Sequence, residues 1–302
     1  MHLARRYGRP VVLFMTLAGL VAAGSCSRSR PRDPKLVVSA SIPPLGAIAG
    51  EVGGDAVEVH VVLPPGASPH DFEPGPDAVR ALSRADVHLT IGRGLDVWSE
   101  RLAAGASPGA RIERLGHDLP GPEPTASSDE PEGDPHIWLD PIKAATVAER
   151  IGGIYASLRP EAADTLRARG RVVAERYRDL DRRIAQRLEP VREVPFVAFH
   201  GGLNHLVARY GLRQVALIEP YSGREPTPRY LAGVVDTIRR TGAKVVFSEP
   251  QISDQLARVV GRETGVPVRT IDLIGGAQAG QTYEQFLLSV VDSLTDALGE
   301  KR

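Results

Sequence analysis

Apolar and polar positions in this chain follow two periods. The runs LVVSASI from Leu36, VEVHVVL from Val57 and DVHLTIG from Asp86 have the length and β-branched content of strands. PLGAIAGEVGG, closed by glycines, and DAVRALSRA carry the spacing of helices. The same alternation returns in the second half. VPFVAFH, QVALI, KVVFSEP and VPVRTID read as strands, and LNHLVARYG, TPRYLAGVVDTIRRTG, DQLARVVGRETG and YEQFLLSVVDSLTDALG as helices. Strands alternating with helices predict an α/β protein with parallel sheets flanked by helices. Residues 117–135, HDLPGPEPTASSDEPEGDP, interrupt the pattern as an acidic, flexible surface loop. PIKAATVAERIGGIYASL then returns to helix. Over residues 160–190, Ala162, Leu166, Val173, Tyr177, Leu180, Ile184 and Leu188 recur at helical spacing between Pro160 and Pro190. A helix of that length spans about 45 Å, more than one small lobe needs, so it is expected to link two. The expected organisation is an N-terminal lobe over 36–159, a linking helix over 160–190 and a C-terminal lobe over 191–302.

Composition changes this picture little, but the N-terminus and the cysteine count matter. The chain has 302 residues, is 42% hydrophobic and 25% charged, and has zero net charge. It therefore offers no basic footprint for nucleic acid. An arginine-bearing start, then VVLFMTLAGLVAAGS, has the order of a secretory signal over residues 1–25 and is short for a membrane span. It ends at Cys26, the single cysteine. AAGSC resembles a bacterial lipobox, with Ala23 where leucine is usual; the alternative is ordinary cleavage that leaves a spare thiol. Residues 26–35 read as a tether. One cysteine excludes an internal disulfide and a thiolate metal cage, so any metal must be held by histidine and carboxylate.

Four such residues sit at expected strand ends, where open parallel sheets bind ligands. His70 lies in the loop after VEVHVVL, His200 ends VPFVAFH, Asp272 ends VPVRTID, and His136 stands where the acidic loop rejoins the fold in DPHIWLDP. Each alone has a bland reading, a surface histidine or, for Asp272, a helix cap. Together they are placed to converge between two lobes. His60 and His88 fall inside strands, His205 is turned off the face of His200, and His117 opens the acidic loop. Trp98 and Trp138 read as packing residues.

Six stretches in order, LPPGASPHDFEP, DPHIWLDP, FVAFHGGLNHLVARYGL, EPTPRYL, FSEPQIS and IDLIGG, resemble the solute-binding receptors of zinc and manganese ABC importers, from about Lys35 to the end. The resemblance implies two α/β lobes joined by one long backbone helix, with the metal in the cleft between them. It implies His70, His136, His200 and Asp272 as ligands, and a membrane permease as partner of a monomeric, lipid-anchored receptor. Three departures stand out: Gly201 follows the third ligand where the family has aspartate, Leu273 replaces a proline, and the loop before His136 is acidic rather than histidine-rich.

Three nitrogens and one oxygen favour Zn²⁺, whereas manganese favours more oxygen ligands. Glu249 in FSEPQIS is either an acceptor that orients a ligand histidine or part of a surface turn. The expected function is an extracytoplasmic receptor that captures Zn²⁺ for an importer and is not an enzyme. The alternatives are a receptor for manganese or another divalent metal, a secreted zinc hydrolase, or an adhesin. The HExxH motif of zinc hydrolases is absent from the sequence.

Overall fold

The computed structural model describes residues 35–122, 133–220, 225–276, 278 and 280–300. The expected signal segment 1–25, Cys26 with the tether up to residue 34, and residues 123–132 of the acidic loop lie outside the described residues. The first lobe runs β1 (Leu36–Ala40), α1 (Pro43–Gly53), β2 (Val57–Val61), α2 (Pro76–Leu82), β3 (Val87–Thr90), α3 (Val97–Ala106) and β4 (Arg111–Arg114). Helices α4 (Pro141–Leu158) and α5 (Ala163–Leu188) follow. The second lobe runs β5 (Phe196–Ala198), α6 (Asn204–Tyr210), β6 (Gln214–Leu217), α7 (Pro228–Thr241), β7 (Val246–Ser248), α8 (Gln255–Thr264), β8 (Val268–Thr270) and α9 (Tyr283–Gly299). Both sheets are parallel and share one strand order, β2-β1-β3-β4 and β6-β5-β7-β8.

Two elements escaped the sequence pattern. β4, RIER, has a single apolar residue because it is an exposed edge strand. α3 mixes Trp98, Glu100 and small residues, so its apolar face is narrow.

The two lobes share a core. One continuous apolar cluster runs from Val38, Ile42 and Leu89 through Tyr155, Tyr177 and Leu180 to Phe247, Leu273 and Tyr283. Separate clusters fill the outer faces, around Leu82 and Ala103 in the first lobe and around Ile238 and Val260 in the second. α5 spans about 39 Å for its 26 residues. Its inner stripe, Leu166, Val173, Tyr177, Leu180, Ile184 and Leu188, is buried. Its arginines reach both neighbours: Arg178 pairs with Glu149 of α4 at 2.8 Å, and Arg183 with Glu284 of α9 at 2.5 Å.

α4 and α5 approach each other at paired glycines. A Cβ on Gly170 would lie 2.8 Å from the carbonyl oxygen of Ala148, and one on Gly152 would lie 2.9 Å from that of Leu166. Only the missing side chains permit this contact of backbones. Gly170→Leu is expected to force the helices apart and cost about 3 kcal/mol, read as a lowered urea midpoint with the slope unchanged.

His88 is fully buried in β3, its Nδ1 2.8 Å from the Ser39 hydroxyl and its Nε2 3.0 Å from that of Ser99. Burial pushes its pKa down from 6.5 to about 4. The unfolded chain takes up a proton near pH 6.5 that the folded chain refuses until about pH 4. Stability is therefore full above 6.5 and falls between those values, by about 1.4 kcal/mol per pH unit from this residue. Urea unfolding across that range is expected to be less pH-dependent in His88→Gln than in the native protein.

Candidate metal centre

Residues 134–141, DPHIWLDP, form a chain of local devices. Asp140 caps α4, its Oδ1 accepting from the Ile142 amide at 2.9 Å, and Pro141 occupies the first helical position, where no N–H is needed. Ile137–Leu139 make one buried 3₁₀ turn, and His136 stands immediately before it. Trp138 pins this turn to the second lobe. Its indole donates to the Leu273 carbonyl at 2.8 Å, and its own carbonyl accepts from the Tyr283 hydroxyl at 2.8 Å. The expectation that it only packs is thus too narrow, because a buried indole N–H needs an acceptor.

His200 arrives from the other lobe, two residues past β5, on extended backbone. Its ring rests over Gly202, where a Cβ would lie 2.7 Å from both His200 Cε1 and Leu273 Cδ1. His70 comes from the loop after β2. Trp98 fixes that loop, donating to the Pro69 carbonyl at 3.0 Å while Phe72 packs edge-on against its rings. Here too a tryptophan does more than fill space.

The three imidazoles meet. Among the described residues, His70, His136 and His200 form a group with one ring nitrogen from each, all within 4.8 Å of one another. His136 Nε2 lies 3.2 Å from His70 Nε2 and 3.2 Å from His200 Nε2. Four-coordinate zinc with nitrogens at 2.0–2.1 Å sets neighbouring ligands about 3.3 Å apart. Carboxylates fix two of the rings: Asp134 Oδ1 is 2.8 Å from His136 Nδ1, and Glu249 Oε1 is 2.5 Å from His200 Nδ1. A carboxylate at Nδ1 takes the N–H there and turns the Nε2 lone pair inward. Neutral lone pairs facing each other at this separation are met only by a proton or a cation. The cavity they line holds about 20 Å³, room for one ion or one water.

Electrostatics agree with this geometry. Burial, with His136 and His200 alongside, pushes His70 down to about 2, so it stays neutral. Burial opposes charge on His200 too, but the Glu249 carboxylate outweighs it and raises its pKa. Burial works against ionised Asp134, yet His136 and His205 hold its carboxyl well below the usual range. Asp134 is a node between lobes. It also accepts from the His136 amide at 2.9 Å and from Asn204 Nδ2 at 3.0 Å, and its carbonyl takes the His205 Nε2–H at 3.1 Å. Lys143 Nζ lies 2.6 Å from the other ring nitrogen of His205, Nδ1; burial, with that lysine adding, lowers His205 to about 4. The Asn204 amide also explains the tolerance for Gly201, where a Cβ would meet it at 2.7 Å.

Asp272 is not part of the three-histidine group. Its Oδ1 accepts from Gln251 Nε2 at 2.9 Å and from the amides of Ile274 and Gly275. Glu249 stands at the end of β7, beside His200, and is 8% exposed rather than set in a surface turn. His60 lies in β2 beside Glu58, and His205 backs the site without joining the group. Asp134, Asn204 and Gln251 went unsingled in the sequence; only Asp134, two residues ahead of His136, had a signal to find. Asp134→Ala leaves two buried donors of His136 and one half-buried donor of Asn204 without an acceptor. A loss of about 2–3 kcal/mol in the metal-free protein is expected by urea unfolding.

A family model described as zinc-uptake complex component A, periplasmic (ZnuA) matches residues 38–297. The zinc-binding lipoprotein AdcA of Streptococcus pneumoniae is 26% identical over 295 residues, covering 91% of this chain and 57% of that protein. The chain thus spans under two thirds of the length of the streptococcal relatives it matches. The iron-binding protein YfeA of Yersinia pestis is 29% identical over 305 residues, 97% of each chain. A crystal structure of ZnuA superposes with a TM-score of 0.78 at 26% identity, covering 88% of this chain and all of that one. The two four-stranded parallel lobes, the long helix between them and the match over residues 38–297 place the chain in the periplasmic zinc-uptake component A family.

Proposed function

We propose that this protein is an extracytoplasmic receptor that captures one Zn²⁺ between its lobes and delivers it to the permease of an ABC importer. The observation that carries the reading is the convergence of three Nε2 atoms from two lobes on a cavity of ionic size. His70, His136 and His200 are its ligands, and Asp272 is the fourth donor, drawn in when the ion binds. Asp134 and Glu249 orient the rings. The nitrogen-rich set favours zinc over manganese. A cavity of about 20 Å³ leaves no space for a substrate beside an ion, which favours capture over hydrolysis. In this reading the protein is exported and held as a monomer at the membrane by lipid on Cys26. The order of residues 1–26 supports the export and the anchor, as does the word lipoprotein in the name of the pneumococcal relative.

Calorimetric titration of the purified protein is expected to give one equivalent of zinc bound more tightly than manganese. His200→Ala is expected to weaken zinc by more than about 100-fold, beyond the 10–100-fold of an orienting partner. Zinc affinity is expected to fall with acidification, beginning above the usual histidine range, because the Glu249 carboxylate raises the pKa of His200 and a proton there competes with the ion. A variant that binds as the native protein does would remove His200 from the site.

A further inference from the structure

We propose that Gln251 is a selectivity residue: by holding one oxygen of Asp272 it limits that carboxylate to a single donor oxygen and keeps the bound cation four-coordinate. The inference rests on the receptor reading above and extends it to the choice of metal.

Asp272 Oδ1 accepts from three donors, Gln251 Nε2 at 2.9 Å, the Ile274 amide at 3.1 Å and the Gly275 amide at 2.9 Å. A carboxylate oxygen has two lone pairs. The two amides belong to residues two and three further along the chain, so they form a local turn around the oxygen. Gln251 reaches in from a different strand end, just past β7 and two residues beyond Glu249, and is the one donor from outside that turn. A cation clasped by both oxygens would have to share Oδ1 with these three donors. Among the described residues Oδ2 accepts no hydrogen bond, so it is the oxygen left to offer.

The orientation of the amide is set by this contact. Turned over, Gln251 would place its own oxygen against the carboxylate. As it stands, its Oε1 is buried with no partner. An acceptor bond is forgone to keep the donor on Asp272. Gln251 also lines the histidine cavity, as do Leu273 and Ile274, the two residues that follow Asp272. Three nitrogens and one oxygen complete a zinc tetrahedron. A second carboxylate oxygen would raise both the oxygen count and the coordination number, toward what manganese prefers.

The test uses purified native protein and Gln251→Leu. Co²⁺ serves as a spectroscopic stand-in for zinc, and Zn²⁺ and Mn²⁺ affinities are measured by competition. The native Co²⁺ form is expected to show the intense visible bands of four-coordination. In Gln251→Leu those bands weaken toward higher coordination, and the preference for zinc over manganese falls by about tenfold or more. Unchanged bands and preference, with His200→Ala still abolishing tight zinc binding, overturn the role of Gln251 and leave the receptor standing. Native protein that binds neither metal overturns both. If Gln251→Leu does not fold, X-ray absorption of the zinc-loaded native protein decides: four first-shell ligands are expected, and five or more overturn the proposal.

Discussion

Nitrogen lone pairs from two lobes stand 3.2 Å apart, and everything around them must hold them there. Neutral imidazoles do not choose that arrangement. It is imposed by carboxylates behind two of the rings, which fix the N–H on the outer nitrogen. Those carboxylates must in turn be fixed, and each is carried by the same lobe as the ring it orients. Glu249 follows β7, and Asp134 stands two residues before His136. A small displacement between lobes would open the group, so their relative position has to be rigid.

Rigidity comes from the shared core and from bonds that cross it. Trp138 is tied to the second lobe through both its indole and its carbonyl. Asp134 binds His136 of one lobe and Asn204 of the other with separate oxygens. α5 runs along both lobes, with its inner stripe buried in the common cluster and its arginines paired to α4 and α9. A helix packed along its whole length resists bending, so capture of a cation calls for movement of side chains and loops more than for hinge closure. Arg93 adds to this at the root of the acidic loop. On left-handed backbone (φ 55°), its buried guanidinium donates to carbonyls on both sides of that loop, those of Gly116 and Leu119 and that of Asp134.

Much of this was legible in the sequence because buried parallel strands and amphipathic helices leave strong periods. The 26-residue α5 was readable from the apolar positions that recur along it, His70 and His200 from their places after strands, and His136 from its place where the acidic loop rejoins the fold. The rest was hidden for physical reasons. Edge strand β4 carries too little apolar surface to register. The tryptophans look like packing until their N–H groups find acceptors across a lobe or loop boundary. Asn204 and Gln251 act through contacts made by the fold, with no local pattern to mark them. Asp272 lies at a strand end as expected, yet its carboxylate is engaged by Gln251 and two amides, a detail no spacing rule carries.

In the proposed function His70, His136 and His200 present their Nε2 atoms to one divalent cation. Anomalous diffraction at the zinc edge, from crystals of the zinc-loaded protein, locates that ion. A single peak about 2.0–2.1 Å from all three Nε2 atoms is the predicted result. Zinc bound away from any one of these rings, or at an unrelated surface site, would contradict it.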